Sequence, residues 1–357
     1  MNSKHTSKTD LQIGREYPGE GEEKIITSII KVLEAQLIRM YSGKKMLRQI
    51  HPKMTACVKA EFIIEPNLAD DLKVGVFKEA KSFPAWIRFS NGSTVMKADK
   101  EKDIRGIAIK LMNVPGEKLL ERERNEQTQD FILLSSHNFL SKNVKEFAPV
   151  LKIATAPGGL VKLGYFFKFF RFSTFAVLFK ALKANIVCKH PFEIPYWSTI
   201  PFRFGDENRA VKYFIEPTKS ANNEFIYTNE TDYNFLQANA AATLQKNEIQ
   251  LDFCIQFQTD AVTMPIEDPT VPWTTPYIKL ATIRIPKQIC DTPERKEFGE
   301  NLTFNSWHCL EEHRPLGGFN RARKRIYEEM YNFRLKQNNV KKYEPVPTPD
   351  FFTSDKI

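Results

Sequence analysis

Short apolar runs that alternate with polar residues at a period of two constrain this chain most, because they suit strands buried on one face and do not suit helices. The clearest is IQLDFCIQFQ, which puts Leu251, Phe253, Ile255 and Phe257 on one side. CVKAEFII, AWIRFS, GIAIKLM and DFILLS precede it, while RAVKYFIEP and YIKLATIRIP lie close to it on either side, with turn-like or polar stretches between them. That is the pattern of an antiparallel sheet or barrel. Helical spacing predicts an amphipathic helix over Glu22–Tyr41, and strong helix formers fill RARKRIYEEMYNFRLKQ near the C-terminus. The order helix, strands, helices, strands, helix predicts a β-rich α+β fold. It forms one domain over residues 21–337, between a flexible or extended arm at 1–20 and a polar tail at 338–357. No GxGxxG follows a strand, and there is neither a P-loop nor an internal repeat.

Composition narrows the partners. A net charge of +9 favours something anionic, but the basic residues are spread along the chain and no nucleic-acid motif is present, so nucleic acid is not expected. Five cysteines without a CxxC pair argue against a disulfide framework or a zinc site and fit a reducing compartment. The N-terminus has no apolar leader pattern, so a cytoplasmic protein is expected. The Phe-rich, Lys/Arg-studded segment at 160–183 has charge-free runs far short of the roughly 20 residues needed to span a bilayer. The plainer expectation for it is a buried helix pair over the barrel. The alternatives are an apolar channel or peripheral contact with an anionic membrane.

Several residues carry chemistry. Arg323 and Tyr327 are four apart and Arg334 follows seven later, which places all three near one face of the last helix. A phenol ionises near pH ~10 in water, and neighbouring guanidiniums favour the phenolate, the form able to ligate ferric haem iron. The same residues also suit a solvated basic face. Arg48 precedes His51 by three residues at the start of a strand, WIRFSNGS sets Arg88 just before Ser90, and DIRGIAIKL supplies Asp103, Arg105 and Gly106. His308 and His313 in WHCLEEH match no zinc motif and read as structural.

Taken together and in order, these segments resemble the catalases. R-x-x-H before a strand is similar to the family's distal-histidine segment. RFS and D-x-R-G-x-A-x-K follow, TQDFILLSSHNF resembles the segment closing the distal pocket, and R-x-x-x-Y-x6-R has the spacing of the proximal tyrosine. The resemblance covers residues 25–335 and implies a catalase-like barrel holding b-type haem. It makes His51 the acid/base, oriented by Ser90, and Tyr327 the axial ligand, held as phenolate by Arg323. Arg48, Arg88 and Arg334 would pair with the haem propionates, and Phe139 would stack on the porphyrin. Asp103 and Arg105 would be structural. Two positions depart from the pattern. Gln127 stands where the family has a distal asparagine, with Asn125 reached only by a two-residue slip, and Tyr331 offers a second phenol one turn after Tyr327. The chain is also shorter than typical catalases, as are catalase-like peroxidases and allene oxide synthases. The expected function is therefore haem-dependent O–O cleavage of hydrogen peroxide or an organic or lipid hydroperoxide. The alternative is a catalytically weak haem-binding or membrane-surface protein. A homo-oligomer is left open.

Overall fold

A computed structural model describes residues 11–169 and 172–353. Its helices are α1 (Glu22–Tyr41), α2 (Val144–Thr155), α3 (Leu160–Lys168), α4 (Phe172–Ala184), α5 (Phe235–Lys246), α6 (Pro293–Asn301) and α7 (Gly318–Asn338). The strands are β1 (Met54–Ile64), β2 (Ser82–Asn91), β3 (Arg105–Met112), β4 (Thr128–Leu134), β5 (Tyr196–Trp197), β6 (Phe202–Phe204), β7 (Asp206–Pro217), β8 (Ile249–Phe257) and β9 (Tyr277–Ile285). β1 to β4, β7 to β9, α1 and α7 stand where the sequence pattern puts them. β5, β6, α5 and α6 do not announce themselves: the first two are very short, and the helices have weakly apolar faces.

All neighbouring strands are antiparallel, in the order β5-β4-β3-β2-β1-β9-β8-β7-β6, and a further β5–β7 pairing closes eight of them into a barrel, with β6 outside the ring. Closure removes the exposed strand edges that would otherwise invite aggregation. Alternate residues point inward, so Phe62, Phe131, Tyr213 and Phe253 fill the interior with rings whose centroids lie 5.0–6.2 Å apart. Leu251, Phe253 and Ile255 belong to this core and Phe257 packs against it, as the alternation predicts. Much of the phenylalanine content is therefore core. A second apolar cluster joins α1, α2 and α7 beside the barrel.

One expectation changes, and both ends of the described chain are anchored. Residues 1–10 of the arm lie outside the described residues, but the rest is tied down. Gly14 N–H donates to Gln258 at 2.8 Å, Tyr17 N–H donates to Glu267 at 2.8 Å, and Glu16 pairs with Arg321. The C-terminal tail, whose residues 354–357 are also outside the description, is likewise anchored, by Glu344 on Lys110 at 3.1 Å and by buried Phe351. The helix pair expected to be buried over the barrel is not. α3 buries no residue and α4 buries only Thr174 and Val177, because they lean on α2 instead of the sheet. Phe170 and Arg171 between them lie outside the described residues. All five cysteines are free and buried, and no helix among the described residues is long and apolar enough to cross a membrane.

Candidate functional site

Because side chains alternate across a strand, the residues of β2, β3 and β4 that do not enter the barrel core share its outer face. On β2 these include Arg88 and Ser90. The pairings Ser90↔Gly106, Arg88↔Ala108, Gly106↔Leu134 and Ala108↔Ile132 set them beside Gly106 and Ala108 of β3 and Ile132 and Leu134 of β4. Gly106 and Ala108 leave a recess in this wall. A Cβ on Gly106 would lie 2.6 Å from His51 Cε1, so only glycine lets the imidazole rest there.

His51 has φ 61°, the left-handed region that a non-glycine residue enters at a cost, and such strain collects at functional positions. Two contacts hold it. Arg88 Nη2 donates to the His51 carbonyl at 2.9 Å, and Ser90 Oγ lies 3.0 Å from Nδ1. Nε2 is left without a hydrogen bond among the described residues. Burial first, and then Arg88, Arg323 and Arg48, push the imidazole down to about 3, so it is a neutral base at physiological pH.

The arginines form the second part. Arg48, Arg88 and Arg334 converge on one carboxylate, Glu300 at the end of α6, at 3.8, 3.4 and 3.4 Å. Arg48 also donates to the carbonyls of Gly299, Glu300 and Leu302, and Arg334 donates to that of Glu300. Burial and the Arg48 charge push Arg88 down to about 9 and Arg334 to about 10, which is the signature of crowded like charges that remain protonated. Arg88 Nε and Arg334 Nη2 are buried without a hydrogen-bond partner among the described residues.

α7 supplies the opposite wall through Ile326, Tyr327, Met330, Tyr331 and Arg334, and the loop after α6 adds Thr303 and Phe304. Together with His51, Ser90 and the strand residues they surround a cleft of about 870 Å³, mouth included. Its enclosed interior is about 150 Å³, below the roughly 300–1,000 Å³ usual for cofactor and small-molecule sites. Tyr331 has a buried hydroxyl without a hydrogen-bond partner among the described residues, and burial holds its phenol above the usual value despite Arg334. Arg323, one turn before Tyr327, is buried, with Nη1 3.5 Å from Asn320 Oδ1.

Seven sequence candidates thus meet in or beside one cleft: Arg48, His51, Ser90, Arg88, Tyr327 and Arg334 line it, and Arg323 lies close enough to act on His51. Two do not. Gln127 is exposed just before β4 and reaches only the carbonyl of Asn125, at 3.4 Å. The β4 side chains on the cleft side are Ile132 and Leu134, so a polar residue beside His51 was sought several residues too early. Phe139 packs on Phe319 with ring centroids 4.1 Å apart, inside the cluster of α1, α2 and α7, and does not line the cleft. The phenylalanine on the cleft wall is Phe304. Asp103 and Arg105 are structural: Arg105 is buried and donates to the carbonyls of Asp99 and Glu101, and Asp103 bridges to Ile186. His308 and His313 are buried in hydrogen-bonded settings with Thr128 and the Val76 amide. Sequence reasoning missed Glu300, in the last turn of the weakly apolar α6, and Phe304, in the loop that follows it. A signal for the recess did exist, since small residues at alternate positions of GIAIKLM mark one accommodating strand face.

The sequence matches no protein-family model and no curated protein. The fold does have solved counterparts. A fungal catalase superposes with a TM-score of 0.64 at 15% identity, covering 95% of this chain and 67% of that one. A bacterial catalase gives 0.61 at 13% identity over 97% and 68%. Catalase A from Saccharomyces cerevisiae gives 0.61 at 15% over 99% and 76%. Identity this low speaks for architecture alone, and on that ground the closed antiparallel barrel with its seven helices is a catalase-like fold.

Proposed function

We propose that this protein binds haem in the cleft between β2–β4 and α7 and uses it to cleave the O–O bond of a peroxide. The observation that carries the proposal is the unmatched charge beside the neutral imidazole. Three guanidiniums facing one carboxylate leave a net +2, which complements the two propionates of a haem. The orphaned Arg88 Nε and Arg334 Nη2, the recess at Gly106 and Ala108, and the phenol of Tyr327 complete a donor set that fits the group.

Arg48, Arg88 and Arg334 would hold the propionates and Tyr327 would ligate the iron. Tyr331 suits that role less, because burial holds it as the neutral phenol. When bound, haem supplies the redox chemistry of O–O cleavage. The protein's share is proton transfer and orientation. His51 Nε2, left free by the Ser90 contact at Nδ1, accepts the peroxide proton and returns it to the leaving oxygen. Ser90 fixes the ring, and Arg88 fixes the strained backbone carrying it. Ile132 and Leu134 offer no hydrogen bond to a second peroxide oxygen and provide apolar contact instead, which supports an organic or lipid hydroperoxide over hydrogen peroxide.

The test is the visible spectrum of haem-reconstituted protein and of Tyr327→Phe, followed by consumption of cumene hydroperoxide and of hydrogen peroxide. The expected result is a Soret band whose ligand-field bands change in the variant, with faster turnover of the organic substrate. A protein that takes up no haem, or a variant with an unchanged spectrum, overturns the reading. The apolar β4 wall also supports a second reading, a haem-binding protein without turnover. Haem-loaded protein that consumes neither peroxide selects it.

A further inference from the structure

α3 and α4 are the part of the molecule that its own core does not explain. On α3, Leu160, Leu163 and Phe167 recur at i, i+3 and i+7. On α4, Phe172, Phe175, Phe179 and Leu182 recur at i, i+3, i+7 and i+10. Each set lies along one helical face. These faces are turned to solvent: Leu160 is 86% exposed, Phe167 67%, Phe172 92% and Leu182 71%. The opposite side of α4, at Thr174 and Val177, is the buried one and packs on α2. Scattered surface leucines need no explanation, but two consecutive helices presenting bulky apolar side chains do.

Charge identifies the partner. Between Glu146 and Glu193 the sequence contains no acidic residue, while Lys162, Lys168, Lys180 and Lys183 stand exposed on the same two helices. The Lys183 ammonium sits over the Phe179 ring, 4.6 Å from its centroid, so a positive charge accompanies the apolar face. A second copy of this chain is a poor match, since both copies carry +9 and the rims would repel. An anionic bilayer suits both features: its acyl boundary receives the phenylalanines and its headgroups receive the lysines. Neither helix can cross a membrane; at about 1.5 Å per residue both are short enough to lie in the interface plane.

We infer that α3 and α4 form a monotopic docking surface that seats the protein on an anionic lipid bilayer, with its apolar faces in the acyl boundary and its lysines among the headgroups. This inference is independent of the haem reading. The test is co-sedimentation of the full chain with vesicles of phosphatidylcholine alone and with about one-quarter phosphatidylserine. Sedimentation velocity on the same samples follows mass in solution. The expected result is binding to the anionic vesicles that weakens with salt. It falls about tenfold in the triple variant Phe167→Ser, Phe172→Ser, Phe179→Ser, and by a smaller factor in Lys180→Glu, Lys183→Glu. Circular dichroism of the variants confirms that they are folded, since the side chains removed are exposed. Wild-type protein that stays in the supernatant overturns the inference, as does a triple variant that binds equally well. So does a wild-type dimer that the triple variant dissolves, because the faces would then pair two copies.

Discussion

Neighbouring rungs of the same sheet face treat charge in opposite ways. At Gly106↔Leu134 and Ala108↔Ile132 the outer face of β3 and β4 is small and apolar, and the cleft opens over it. One step along both strands, Lys110↔Asp130 fills the face with an ion pair at 2.8 Å. Glu344 from the C-terminal tail joins Lys110 at 3.1 Å and also Thr128, while His308 lies 2.6 Å from Glu123 and Lys342 lies 2.9 Å from Glu123. Burial works against the Lys110 ammonium, but Asp130 and Glu344 more than offset it and hold the lysine above its ordinary value. Here each of the three carboxylates meets a lysine at 2.8–3.1 Å. In the cleft three guanidiniums share one carboxylate, and Arg48 Nε, Arg88 Nε and Arg334 Nη2 are buried without a hydrogen-bond partner among the described residues. Matched buried charge locks structure, in this case pinning the tail to the barrel. Mismatched buried charge, which is costly to maintain, marks a place that an anion completes.

The largest effect that could break this contrast belongs to the matched network. Lys110→Met leaves Asp130 and Glu344 facing each other without their shared cation, and breaking such a buried pair costs about 3–5 kcal/mol. Urea unfolding should show that loss equally in protein with and without haem. A loss that haem restores would mean that the network belongs to the binding site and that the distinction is wrong. Next comes Glu300→Gln, which removes the carboxylate the three arginines share and should destabilise the unliganded protein by about 2 kcal/mol. Here a porphyrin with free propionates should restore the stability and its dimethyl ester should not. Equal rescue by both porphyrins, or by neither, would show that the surplus charge is not a propionate site.

How much of this was legible in the sequence follows the same division. Period-two alternation reveals β1 to β4 and β7 to β9 because a strand buried on one face must write its burial into every second residue. The cleft residues Arg48, His51, Arg88, Ser90, Tyr327 and Arg334 were found because their spacing places them on shared faces of regular elements. Gln127 and Phe139 were misplaced because both flank β4, where the sequence alone does not say how far the strand runs before it turns. The register decides it, and the register puts Ile132 and Leu134 at the cleft. Glu300 and Glu344 were invisible for another reason. The partners that matter, Arg48, Arg88 and Arg334 for Glu300 and Lys110 for Glu344, come from distant parts of the sequence, so no local pattern encodes the pairing. The exposed faces of α3 and α4 were visible as phenylalanines and lysines, but their burial depended on whether another element covers them.

The smallest expected effect is a change that does not occur. His51 is pushed to about 3 by burial first and then by the arginine surplus, so between pH 8 and about 4 its imidazole keeps the same neutral form. The initial rate of peroxide cleavage by haem-loaded protein, measured after rapid pH jumps, should therefore be flat across that range, without the step near pH 6.5 that an ordinary histidine gives. Stability behaves differently. His190, lowered to about 4, and His313, lowered to about 3, are buried with His51, and each binds a proton more readily unfolded than folded. Stability is thus fully present above pH ~6.5 and declines as pH falls toward these lowered values, so unfolding midpoints should drop while the initial rate holds. Arg88→Gln removes one of the charges acting on His51 and should move the acid limb of the rate profile upward. A rate step near 6.5 in the unaltered protein would mean that the imidazole is solvated, and the cleft would then lose the charge imbalance that sets it apart from the Lys110 network.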